Sequence, residues 1–313
     1  MSSTAVEAIP DVRQAVKERL APYGLKLAVS PLSWTNDVIE EFGDDTPFDN
    51  FMDAAAALGF QGIELGRKVP RDERLKSALA SYQLELASGW YSGTLAHPDR
   101  TPEQELREVE SHAQLLAENN AKVMVYGECG LLDATRAFDV PLSARGKVSD
   151  WRGYGDRLSR FAESLKEHYG LALSFHQHQM MPVETSDELD TLMDATSDAV
   201  GLLFDSGHMF ASGVELGPTL KRYGKRINHI HLKDIRASIN QRIYQNDLTW
   251  LQGIREGMYG VPGQGVIDFS PVFDFAKGSD YQGWMVLEAE QNPVLMEPLR
   301  VVSEGREFIL DFF

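Results

Sequence analysis

Eight short apolar runs recur along the chain, each followed by a stretch of helical period, and this alternation limits the fold more than any other feature. The runs are KLAVS (26–30), QGIEL (61–65), LELASG (84–89), AKVMVY (121–126), LALSFH (171–176), VGLLF (200–204), INHIHL (227–232) and WMVLE (284–288). Between them lie amphipathic segments such as FDNFMDAAAALGF and TPEQELREVESHAQLLAENN. Strands joined through helices are parallel strands, because a parallel pair needs a long crossover. Eight such units predict an α/β chain folded as one (β/α)8 barrel. An open doubly wound sheet is the competitor. It would carry a glycine-rich phosphate loop after the first strand, where this chain reads SPLSWTND. Gly59, Gly170 and Gly224 fall near helix ends, where left-handed caps are expected. Thr101-Pro102 followed by acids marks a helix start.

Composition narrows the function. The 313 residues are 43% hydrophobic, ordinary for a globular chain and enough for one large barrel. Acidic residues outnumber basic ones 47 to 30, a net charge of −17, which argues against nucleic-acid and membrane partners. Cys129 is the only cysteine, so an internal disulfide and a thiolate zinc cluster are both excluded. It has no base beside it in sequence, which argues against a nucleophilic role. No apolar run is long enough to span a bilayer, and MSSTAVEAIPDVRQAVKERL lacks the apolar segment of a signal peptide. A cytoplasmic protein is expected. Residues 1–24 read as a charged helical extension outside a barrel of residues 25–313, and 127–148 and 234–270 as long loops. In this fold such loops belong to the active-site face.

Four strands finish in groups able to bind a metal. The fifth ends in His176-Gln177-His178, and the sixth in Asp205-Ser206-Gly207-His208. The seventh holds His229-Ile230-His231 followed by Lys233-Asp234, and the eighth ends in Glu288-Ala289-Glu290. Strand side chains alternate between faces. Leu171, Leu173 and Phe175 therefore oppose Ser174, His176 and His178, while Ile230 and Leu232 oppose His229, His231 and Lys233. Met285 and Leu287 likewise oppose Val286, Glu288 and Glu290. With the bulky aliphatics facing the helices, imidazoles and carboxylates converge on one mouth. Each taken alone reads as an ordinary buried polar residue or helix cap. Burying them together without a cation is costly, so a divalent metal is expected. Ligands without thiolate suit manganese, cobalt, zinc, magnesium or iron. His176 is the preferred fifth-strand ligand because it stands at the strand end, as Asp205 does; His178 then reaches the substrate. Trp34 and Asn36 after strand one, Glu64 ending strand two, Trp90 after strand three, and Tyr126 and Glu128 ending strand four are expected to bind a polyhydroxylated ring. Glu64 and Glu128 are read as facing inward.

The strings HIHLKD, FDSGH, GVPGQGVIDF and LEAEQNP resemble the xylose-isomerase-like (endonuclease-IV-like) barrel superfamily. Within it, SPLSWTND, GFQGIELGRKVPRD, SGWYSG, KVMVYGE and PVET resemble the inosose dehydratases of myo-inositol catabolism, over about residues 27–310. The resemblance implies a homo-oligomeric barrel that uses manganese or cobalt to dehydrate scyllo-inosose to a trihydroxycyclohexanedione, with glutathione as an accessory. Carried over by position, the superfamily's metal ligands fall on Asp205, His231 and Glu288. Its fifth-strand ligand is usually glutamate, where this chain offers His176 or His178. The run His176-Gln177-His178-Gln179-Met180-Met181 also departs from the three consecutive histidines of such dehydratases.

Dehydration of a keto-polyol removes the proton α to the carbonyl and then expels the β-hydroxyl. A divalent ion that polarises the ketone stabilises the enolate. Glu290, Glu128 and His178 are the candidate bases, and His208 and Lys233 the candidates for enolate stabiliser or acid. An isomerase or epimerase of a keto-sugar or inosose would use the same opening chemistry. A trinuclear-zinc DNA-repair enzyme would need more ligands and a basic face, and a non-catalytic sugar-binding module would not need so many convergent ionisable groups.

Overall fold

The computed structural model describes residues 12–132, 136 and 138–313. Eight parallel strands close into a barrel: β1 (Leu25–Val29), β2 (Gly62–Leu65), β3 (Glu85–Gly93), β4 (Val123–Glu128), β5 (Ala172–His176), β6 (Val200–Asp205), β7 (Ile227–Leu232) and β8 (Gly283–Leu287). Each strand pairs with its neighbours in sequence, and β1 pairs with β8. All eight sequence runs become barrel strands. Helices cover the outside, and the longest are Pro102–Glu118 and Trp151–Tyr169. The first starts at the expected Thr101-Pro102, with a reciprocal capping box to Gln104. Gly59 and Gly170 adopt the left-handed conformation at φ 74° and 70°. Gly224 does not; at φ −49° it continues the helical conformation of Leu216–Tyr223. Among the described residues no helix is long and apolar enough to cross a membrane.

Two separate apolar cores result from the alternation. The larger lies between barrel and helices and takes Leu27, Ile63, Met124, Phe175, Phe204, Ile230 and Met285. The smaller, Ala28, Ala87, Trp284 and Val286, fills the lower barrel interior. Gly62 makes room for it: a Cβ there would lie 2.6 Å from the Trp284 ring. Lys26 caps this plug with its Nζ 5.0 Å from the Trp284 ring and an ion pair to Glu85 at 2.6 Å. Of the N-terminal extension, residues 1–11 lie outside the described part. The helix Val12–Leu20 lies outside the ring of strands, but Val16 and Leu20 are buried in the larger core. Arg19 donates to Leu310 O and Arg13 to Tyr82 O, placing cations on the C-terminal ends of two barrel helices.

The stretch 234–270 is more ordered than a loop. It contains a two-stranded ribbon of Asp234–Ile235 with Tyr259–Gly260 and the helices Ala237–Gln245 and Trp250–Arg255. The buried Asp234 carboxylate accepts four backbone N–H groups, from Ile235, Gly263, Gly265 and Ile267, at 2.8–3.1 Å. This ties HIHLKD to GVPGQGVIDF.

Strand β4 faces the opposite way from the sequence expectation. Val125 points into the barrel mouth. Tyr126 points outward, with ring centroids 5.9 Å from Phe161 and 6.1 Å from Phe175. The reason is Trp90. Its indole occupies the space beside Gly127, where a Cβ would fall 2.0 Å from the ring, so the inward residue there must be glycine. Glu128 shares the outward parity of Tyr126. Its carboxylate accepts Ala96 N at 3.0 Å, Gly130 N at 2.8 Å and the Tyr126 hydroxyl at 2.9 Å, anchoring the loops after β3 and β4. Neither residue reaches the barrel mouth, so Tyr126 is not a substrate contact and Glu128 is not a base.

Burial lifts the Glu128 carboxyl from 4.5 to about 7. A carboxyl raised in the folded state stabilises the fold below its unfolded value and loses that contribution as pH rises through the folded one. Glu128→Gln is expected to lower unfolding free energy by about 1–3 kcal/mol at pH 4.5, with a smaller deficit at pH 8. Urea denaturation at the two pH values measures this. Divalent-ion affinity should be unchanged, and a weakened affinity would return Glu128 to the site.

Candidate metal centre and cavity

Strand register brings the ligand candidates together. Asp205 and His231 are direct neighbours across β6 and β7, and His231 neighbours Val286 of β8, two residues before Glu288. His176 ends β5. Asp205 Oδ2 stands 3.5 Å from His176 Nε2 and 3.6 Å from His231 Nδ1, and Glu288 Oε2 lies 3.3 Å from the same Nδ1. His176 Nδ1 donates to Gln177 O at 2.6 Å, which leaves Nε2 as a lone pair. The Nε2 groups of His229 and His231 lie 2.9 and 3.0 Å from Glu64 Oε1 and donate to it, which turns His231 Nδ1 towards Asp205 and Glu288. Asp205 Oδ2 and His231 Nδ1 are buried and have no hydrogen-bond partner. Two carboxylate oxygens and two ring nitrogens therefore converge within 3.3–3.6 Å of one another along the set. A divalent cation resolves such a set, and nitrogen and oxygen donors without sulfur fit it. Glu64 supplies the outer carboxylate that orients a ligating imidazole.

Charge around the cluster follows from burial. Burial favours the neutral acid at Asp205 and Glu288, but Lys233 and the neighbouring imidazoles hold both well below the usual carboxylate range. Burial also disfavours charge on His231, yet Glu64 and Glu288 raise it well above the ordinary imidazole value. Lys233 is raised by Asp205, Glu288 and Glu290 against the effect of its burial, and stays an ammonium. Its Nζ lies 2.6 Å from Glu288 Oε1, 2.8 Å from Glu290 Oε2 and 2.9 Å from His208 Nε2. Burial, His208 and His176 push His178 well below its ordinary value, so it is neutral at pH 7.

A cavity of about 410 Å³ opens above the cluster. Its polar lining includes Glu64, His176, His208, His231, Glu288 and Glu290, and its apolar lining Trp90, Val125, Phe138, Met181 and Trp250. His178 also lines it, its ring centroid 3.6 Å from that of His208. Lys233 is fully buried and acts from behind the carboxylates rather than at the wall. Glu64 sits at the floor, spent on Ser88, His229 and His231. Trp34 lies outside the cavity, packed on Phe51 with centroids 6.4 Å apart. Asn36 is buried as a turn former, its Oδ1 accepting Val38 N and Ile39 N, and is not a ring contact.

Asp37, Phe138, Met181 and Trp250 also line the cavity, and sequence reasoning missed them. Asp37 stood one position after Asn36 in SPLSWTND and was open to notice. Phe138 and Trp250 come from the two long loops. They face each other at 5.2 Å, and Leu142 N donates to Leu248 O at 3.2 Å to stitch those loops together. No periodic signal marks such a contact.

Residues 52–312 match the family described as xylose isomerase-like TIM barrel. An inosose dehydratase of Bacillus thuringiensis (strain Al Hakam) is 39% identical over 290 residues, covering 91% of this chain and 96% of that protein. The rhizopine catabolism protein MocC of Rhizobium meliloti is 38% identical over 288 residues, covering 90% and 87%. Among solved structures, the IolI protein with a bound zinc atom superposes with a TM-score of 0.64 at 18% identity, covering 92% of this chain and 97% of that one. Fold, family match and near-full-length relatives agree: the chain belongs to the xylose isomerase-like TIM barrel family, with inosose dehydratases among its relatives.

Proposed function

We propose that this protein is a hydro-lyase that dehydrates scyllo-inosose to a trihydroxycyclohexane-1,2-dione in myo-inositol catabolism. The observation that carries the reading is the pair of partnerless buried atoms, Asp205 Oδ2 and His231 Nδ1, facing His176 Nε2 and Glu288 Oε2 beneath the cavity. The relatives supply the substrate class. His176, Asp205, His231 and Glu288 would hold a divalent ion, manganese or cobalt by family resemblance. Such an ion supplies Lewis-acid polarisation of a ketone. A homo-oligomer in the cytoplasm, with glutathione as accessory, belongs to the same proposal.

The chain's own residues handle protons. The base accepts the proton α to the ketone, and the C–H electron pair moves towards the carbonyl. Its return expels the β-hydroxyl, which leaves as water once protonated. Glu290 and His178 are the two predicted bases that line the cavity. His178 Nδ1 donates to Gln179 O at 2.5 Å, so its Nε2 is free to accept. The Lys233 ammonium donates to Glu290 Oε2 at 2.8 Å and fixes the carboxylate at the cavity wall. The apolar wall of Trp90, Phe138 and Trp250 covers the C–H face of a ring and keeps bulk water from the reacting carbons.

Incubation with scyllo-inosose under manganese or cobalt, with and without glutathione, should give a product lighter by one water with a new ultraviolet absorbance. An unchanged mass would reject dehydration in favour of an isomerase or epimerase. Chelation should abolish turnover and re-addition of the ion restore it.

Metal titration separates the ligand roles. His176→Ala should lose more affinity than His178→Ala, and the reverse order would exchange them. Glu64→Gln should weaken binding by about 10–100-fold through the His231 ring, without removing a ligand.

A further inference from the structure

His208 sits where an acid is wanted, on the cavity wall with Nε2 3.1 Å from Glu290 Oε2. Whether it can donate depends on which ring nitrogen carries the proton, and a chain of hydrogen bonds running from the backbone decides that. Ala211 O can only accept, so Asn240 presents its Nδ2 to it at 3.1 Å. The Asn240 Oδ1 is thereby turned towards Gln179 and accepts its Nε2 at 3.3 Å. The Gln179 Oε1 is then fixed facing Tyr259, whose hydroxyl donates to it at 2.7 Å. A tyrosine has one proton to give. With that proton on Gln179, the Tyr259 oxygen can only accept from His208 Nδ1, 3.0 Å away.

We propose that the chain Ala211–Asn240–Gln179–Tyr259 locks His208 in the Nδ1–H form, making it a proton acceptor at Nε2 and not the acid of the reaction. Lys233 agrees independently. Its Nζ stands 2.9 Å from His208 Nε2, where two N–H groups would oppose each other if Nε2 were protonated. With a lone pair there, the three ammonium protons meet three acceptors, His208 Nε2, Glu288 Oε1 and Glu290 Oε2, and the ammonium bridges the Nε2 and Oε2 lone pairs that face each other at 3.1 Å. The backbone N–H of Gln179 also approaches Nδ1, but at 3.4 Å it is the longest contact of the set. Tyr259 and Gln179 are positioning residues, acting through His208. Under the dehydratase reading, on which the role in the reaction rests, Glu290 takes the ring proton and is the group placed to return it to the departing hydroxyl oxygen. The C–H and C–O bonds break, an O–H bond of water forms, and the carboxylate is regenerated.

The test is long-range proton–nitrogen NMR on zinc-loaded protein labelled at the histidine ring nitrogens, with His208→Asn used to assign the signal. His208 should show a protonated Nδ1 and a bare Nε2. In Gln179→Leu the Tyr259 proton is released towards Nδ1, and the tautomer should invert; Gln179→Glu keeps an acceptor and should keep the wild-type pattern. A protonated Nε2 in the wild type, or no change in Gln179→Leu, would overturn the proposal. The readout needs no substrate, so a failure to turn over scyllo-inosose would sink the dehydratase reading without touching this one.

Discussion

Four carboxylates, Glu64, Asp205, Glu288 and Glu290, are buried at one end of the barrel with a single ammonium, Lys233, among them. Unpaired buried charge is expensive, and this imbalance organises everything around it. The imidazoles answer part of it: His229 and His231 both turn their Nε2 groups to Glu64. Lys233 answers another part by bridging Glu288, Glu290 and His208. What is left over is concentrated at Asp205 Oδ2 and His231 Nδ1, which face each other at 3.6 Å, each without a hydrogen-bond partner. The candidate cation site is therefore the remainder of a charge balance set by the barrel.

Much of this was legible from alternation alone. Strands β5, β7 and β8 carry large aliphatics on one face and ionisable groups on the other, so parity read from the sequence places His176, His231, Glu288 and Glu290 correctly. Asp205 follows because it ends its strand beside His231. Parity failed on β4, where both faces are apolar enough to be confused. The deciding fact there is steric: only Gly127 tolerates the Trp90 ring, and that contact crosses between strands. Strand β3 was obscure for a related reason. The register between β2 and β3 shifts between Ile63 and Leu65, so Ala87 joins the inner plug while the next residue, Ser88, reaches Glu64.

Loops gave up less, because their contacts have no period. Trp250 and Phe138 meet across more than a hundred positions of sequence to roof the cavity. Gln179 and Tyr259 meet across 80 positions to hold His208. Trp34, Asn36 and Tyr126 were drawn to the site by their residue type and their nearness to strand ends. The structure spends them on packing and turn formation instead. An aromatic at a strand end has two faces to choose from, and only the neighbouring strands decide which one it uses.

The Trp284 plug beneath the candidate metal centre has a consequence for traffic. With Ala28, Ala87 and Val286 packed about the indole, the lower bore of the barrel is stoppered. Whatever enters the cavity and whatever leaves it then pass through the loop-bearing end, where Phe138 and Trp250 stand. Arrival and departure thus use the same end of the barrel, and the side chains that line that end act on traffic as well as on contact.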